Sequence, residues 1–279
     1  METASQFFHA PSDWQLFAWD TAAIAVSLTA SLLLFGIWRK GYPTIEQGQK
    51  ITRRDDGVMW MFRACTLWCC TYIVDVVGLI GLFQVTQDSS ALAFLRVALS
   101  LTNSVFFVLA TANMNVVMDD SGRVAAALEW TQSRVWRLVG GLILIATILF
   151  FFTERGAMHC QLFDALVNVI TILLMAWGFF KSFYMRGFPI IAGLSVVVFS
   201  IFLVTEVGVF VNAISRQNLL ARNSPFGTAL AVSSDGMVSL LFIALTFSWV
   251  HEKSDKFAES VTILELGDTP AVPVRTAKE

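Results

Sequence analysis

Seven apolar stretches, each close to the roughly 20 residues a helix needs to cross a bilayer, constrain this chain more than any other feature. They run over 17–38, 62–85, 92–118, 136–153, 160–182, 188–212 and 227–250. Barrel strands would instead be about 10 residues long with alternating polarity, a pattern none of the seven shows. The composition agrees: 56% of the 279 residues are hydrophobic and 14% are charged, against about 25% charged in a soluble domain. The expected fold is an all-α polytopic membrane protein, a seven-transmembrane-helix bundle. The third stretch is long enough to tilt. The fourth, "WRLVGGLILIATILFFFT", carries almost no polar residue and is expected to face lipid.

Loop charges predict the orientation. With the N-terminus outside, the inner segments hold Arg39, Lys40, Lys50, Arg53 and Arg54, then Arg123, Arg134 and Arg137, then Lys181 and Arg186, then Lys253, Lys256, Arg275 and Lys278. The outer segments hold Arg155, Arg216 and Arg222, so 14 basic residues face 3, a strong positive-inside bias. Trp38, Trp60, Trp130, Trp136 and Trp249 fall at inner ends and Trp14 and Trp19 at the outer end of the first span, as interface-seeking indoles should. The N-terminus is therefore expected outside and the C-terminus in the cytoplasm of a plasma or inner membrane.

The organisation follows. Residues 1–16 read as an extracytoplasmic tail, with no basic residue to make them a signal peptide. Residues 17–250 form the bundle, and 251–279 a cytoplasmic tail that is partly helical, then flexible. The 119–135 loop has the spacing of a short interfacial helix. Together, 39–61, 119–135 and 251–279 offer docking surface to a cytoplasmic protein partner. The net charge of −2 and the absence of a basic run exclude a nucleic-acid surface.

Polar residues inside spans are expensive, so they are expected to face the bundle interior. Helical spacing arranges them in stripes: Thr71, Asp75 and Gly78; Arg96, Ser100 and Asn103; Asp164, Asn168 and Thr171; Thr228, Asp235, Ser239 and Thr246; with Glu206 beside Thr205. Counting along the spans puts Asp75 near the midplane and Asp235 roughly 12 Å below the outer end. Glu206, Asp164, Arg96 and Asp20 fall closer to the outer face. The expectation is an outward-opening acidic vestibule whose floor lies near Asp75 and Asp235. Asp235 would be paired with Asp75 through a proton or cation, or with Arg96. The alternative is that these groups only tie helices together, each hydrogen bond contributing well under 2 kcal/mol.

Cofactor motifs are wanting. Seven spans with the N-terminus outside is the topology of microbial rhodopsins and G-protein-coupled receptors. "AVSSD" at 231–235 is similar to the rhodopsin stretch that ends in the retinal lysine. Here that place holds Asp235, and no lysine stands between Phe226 and Val250, so a retinal imine cannot form. The receptor motifs, Asp-Arg-Tyr after the third span and Asn-Pro-x-x-Tyr in the seventh, are missing too. His9 and His159 are expected outside and His251 inside, so they cannot ligate one haem or zinc. Cys65, Cys69, Cys70 and Cys160 read as buried thiols. No family is identified.

Three functions fit these residues. The first is capture of a proton, a cation or a protonated small solute in the acidic cavity, for transport or conduction. The second is a sensor or accessory subunit that binds an external ligand and docks a cytoplasmic partner. The third is an intramembrane enzyme in which Asp75 and Asp235 act on a lipophilic substrate. No nucleophile or metal set supports the third, and no catalytic residue is assigned.

Overall fold

The computed structural model describes residues 11–46, 49–54, 56–79, 89–115, 129–153, 156–215 and 225–267. It contains seven long helices: α1 (Pro11–Lys40), α2 (Asp56–Leu79), α3 (Ser89–Asn115), α4 (Val135–Phe152), α5 (Gly156–Met185), α6 (Pro189–Ser215) and α7 (Pro225–Gly267). Each has a segment long and apolar enough to cross a membrane. The chain is thus a bundle of seven candidate membrane-spanning helices.

Six helices close into a ring, α1 on α2, α2 on α3, α3 on α5, α5 on α6, α6 on α7 and α7 back on α1. Helix α4 stands outside the ring in the cleft between α3 and α5. Its span has only 17% of its residues buried, against 53% for α7, which fits a helix with almost no polar residue and a lipid-facing surface. In a bilayer, apolar contact with a neighbouring helix is little better than contact with lipid. Small residues and hydrogen bonds therefore hold such rings together. Ser31 on α1 meets Thr66 on α2 at 2.6 Å, and Ser104 on α3 donates to Asn168 on α5 at 2.8 Å. Many other hydroxyls, Thr71 and Thr246 among them, bond the carbonyl one turn back in their own helix.

One element was not foreseen. Between α1 and α2, strands β1 (Tyr42–Glu46) and β2 (Gln49–Arg53) pair antiparallel, Tyr42 opposite Arg53 and Glu46 opposite Gln49. Gly41 enters the hairpin at φ +62, where a Cβ would stand 2.5 Å from the Arg53 carbonyl oxygen. An isolated two-stranded hairpin is marginal; this one is packed by β1 against α7. At the same end, Gly187 (φ +80) closes α5: its N–H bonds the Tyr184 carbonyl and the Phe188 N–H bonds the Phe183 carbonyl. Pro189 then opens α6.

Asp75 lies four residues before Leu79, the last described residue of α2. Residues 80–88 lie outside those described, as do 119–128 of the expected interfacial helix and the tail segments 1–10 and 268–279. The end of that loop is helical over 129–133, where Arg134 lies over the Trp130 ring at 4.6 Å.

Candidate functional site

The polar stripes of α2, α3 and α5, with Glu206 of α6, converge on one small cavity. It measures about 50 Å³ and is walled by Thr71, Ser100, Asn103, Ser104, Asn168, Thr171 and Glu206, with Trp68, Phe107 and Phe202 among its apolar lining. At about 10–15 Å³ per water-sized group, it has room for roughly four. Asn168 organises one side. Its carbonyl oxygen accepts from Ser104 at 2.8 Å, and its amide donates to Ser100 at 3.2 Å. Asn103 is different: it is buried, and its Oδ1 has no hydrogen-bond partner among the described residues. A buried acceptor left unmatched costs about 1–3 kcal/mol, so the position suits an occupant that donates. The aromatic rings beside it offer π-faces, which favour a positive charge.

The rim and floor differ sharply. One turn along each stripe toward the α2–α3 link, Asp75 and Arg96 form an ion pair, Nε to Oδ1 2.6 Å, with each side chain about a quarter exposed. Asp164, also buried, lies one turn beyond Asn168 on α5. Toward the hairpin end the wall becomes aromatic. Trp68 meets Phe107 at 5.5 Å, Phe107 meets Phe242 at 4.9 Å and Phe242 meets Phe179 at 5.3 Å. Phe179, Phe199 and Phe242 are fully buried there.

Asp235 is held elsewhere. It is buried on α7 and accepts a hydrogen bond from the Tyr72 hydroxyl of α2. Asp20 of α1 lies within electrostatic reach. Neither Asp235 Oδ1 nor the hydroxyl of Ser239, one turn on, has a partner among the described residues. The expected pairing of Asp235 with Asp75 or Arg96 is therefore replaced: Asp75 and Arg96 take each other, and Tyr72 takes Asp235. On α2, Tyr72 and Asp75 are three residues apart, so their side chains leave the helix about 60° apart. Of the expected site residues, Asn103, Asn168 and Glu206 line the cavity, Asp75 and Arg96 sit at its rim, and Asp164 lies one turn from Asn168. Asp235 and Ser239 belong to the α1–α2–α7 seam. Tyr72 and Trp68 were missed, because an aromatic in an apolar span looks like packing until its partner is known.

A second ion pair closes the hairpin end. Arg186, in the α5–α6 turn, donates to Glu252 of α7 at 3.0 Å and to the Ser182 carbonyl at 3.2 Å. Burial lowers the Arg186 guanidinium from its ordinary value, and the hydrogen bond and charge of Glu252 oppose that shift. Among the described residues no group of three or more His, Cys, Asp or Glu is placed to hold a metal. The chain matches no protein-family model, no curated protein and no solved structure.

Proposed function

We propose that this protein captures a small cation or protonated amine in the cavity between α2, α3, α5 and α6 and carries it across the bilayer. The observation that carries this reading is Asn103 Oδ1, a buried acceptor without a described partner, in a cavity that also holds the Glu206 carboxylate and three aromatic rings. The Ser104 hydroxyl and the Asn168 amide are engaged with Asn168 and Ser100, which leaves Asn103 Oδ1 and the aromatic rings for an occupant. Intramembrane acids in such places mark ion and solute paths. With the N-terminus outside, as the loop charges imply, entry runs past Asp75 and Arg96. The aromatic layer bars the inner half, so passage requires the helices to rearrange around the occupied site.

That same aromatic layer favours a second reading, a sensor whose ligand never crosses. The hairpin packed on α7 would then report occupancy to a cytoplasmic partner.

The test is radiolabelled methylammonium with purified protein in nanodiscs and in proteoliposomes. Saturable binding is expected, and Asn103→Leu should weaken it at least tenfold, about 1.4 kcal/mol. Glu206→Gln should do the same. Uptake into proteoliposomes supports the carrier, and binding without uptake supports the sensor. If the wild type binds neither methylammonium nor ammonium nor an alkali cation saturably, both readings fall.

A further inference from the structure

A second hollow touches the first. It is an apolar groove of about 220 Å³ between α3, α4 and α5, lined by Val108, Leu138, Ile170 and Leu174 among others, and two further residues, Ser104 and Thr171, also line the polar cavity. The two spaces thus share a wall one side chain thick, made of two of the smaller side chains in either lining. Apart from Thr131, the groove is lined by residues of the candidate spans, and it follows α5 from Val167 to Leu174, roughly 10 Å of helix. Its outer bank is α4, the helix outside the ring, which among the described residues packs mainly on α3 and α5.

We propose that the ligand of the cavity is a single-chain amphiphile with an amine head, an alkylammonium of about octyl length. Its head sits against Asn103 and its chain lies in the α3–α4–α5 groove. This rests on the cation reading above and specifies its substrate class. The shared wall carries the argument. A head in the cavity can join a chain in the groove only by parting Ser104 from Thr171, the two short side chains that line both spaces. An unbranched chain suits a lining that is apolar apart from hydroxyls. A molecule of this kind enters sideways from the bilayer, beside α4, where few contacts need to part. The Asp75–Arg96 rim is then bypassed by the substrate and serves small water-soluble ions.

The experiment uses the full chain in nanodiscs. An alkylammonium bearing a photoactivatable diazirine at its chain end is bound, irradiated and mapped by peptide mass spectrometry. Label is expected on α3, α4 or α5 at groove residues, and excess methylammonium should displace it, because the head site is shared. In parallel, Leu174→Trp, which fills the groove, should weaken octylammonium binding at least tenfold and leave methylammonium binding within twofold of wild type. Val108→Phe serves the same purpose should the first variant fold poorly. Label that methylammonium cannot displace identifies an ordinary lipid site and overturns the proposal. So does label away from the groove, or a groove variant that weakens both amines equally or neither. Failure of the wild type to bind methylammonium, ammonium or any alkali cation removes the cation reading itself, a result distinct from failure of the groove.

Discussion

The ion pair at the cavity rim allows a prediction in which stability and capture separate. Asp75 and Arg96 meet at 2.6 Å with about a quarter of each side chain exposed. Exposed pairs contribute about 0.2–1 kcal/mol, and breaking a fully buried pair costs about 3–5 kcal/mol. A pair between these limits should cost about 2 kcal/mol when either partner is neutralised. Asp75→Asn and Arg96→Gln are therefore expected to destabilise the protein similarly. The double variant should be hardly worse than either single one, giving a coupling of about 2 kcal/mol in the cycle. Their effects on capture should be opposite. Asp75→Asn leaves a lone positive charge one turn, roughly 6 Å, from Ser100 in the cavity wall. At 6–10 Å and an effective dielectric of about 20–40, a unit charge is worth about 0.8–2.8 kcal/mol, or about four- to a hundredfold. Methylammonium binding should weaken by that factor in Asp75→Asn and tighten or hold in Arg96→Gln, and both shifts should shrink in high salt. Binding isotherms at two salt concentrations, with unfolding curves in detergent, read both quantities. If the two variants move binding in the same direction, or neither changes stability by 0.5 kcal/mol, which is about the limit of additivity errors, the pair is not the electrostatic rim inferred for it.

Two further outcomes follow from buried groups. Glu252→Gln removes the counter-charge of an Arg186 whose side chain is only 4% exposed, so a loss of about 3 kcal/mol is expected. Combining it with Arg186→Met should recover at least half of that, and a double variant as unstable as Glu252→Gln would sink the account. Tyr72→Phe takes away the hydroxyl that Asp235 accepts from. A stability loss of about 1–3 kcal/mol is expected in unfolding curves; a loss below about 0.5 kcal/mol would refute it.

Much of this molecule was legible in the chain. Seven candidate spans, the sparsely buried fourth helix and the stripes on α2, α3 and α5 all follow from local facts, the length of each apolar run and the 3.6-residue period of a helix. Asn103, Asn168 and Glu206 could be named because a polar side chain in a span must point inward or be costly. What a period cannot say is which inward faces meet. Asp75 and Asp235 each lie on a polar stripe, but whether they share a cavity depends on how six helices close into a ring. That closure gave Asp75 to Arg96 and Asp235 to Tyr72. The hairpin at Tyr42–Arg53 escaped notice because its strands are short, hold Pro43 and Lys50, and are supported by α7, which is remote in sequence. The joined polar and apolar hollows belong to the tertiary structure alone. Ser104 is unremarkable in the sequence and Thr171 is only the end of a stripe, and only the packing of α3 against α5 makes them the wall between two spaces.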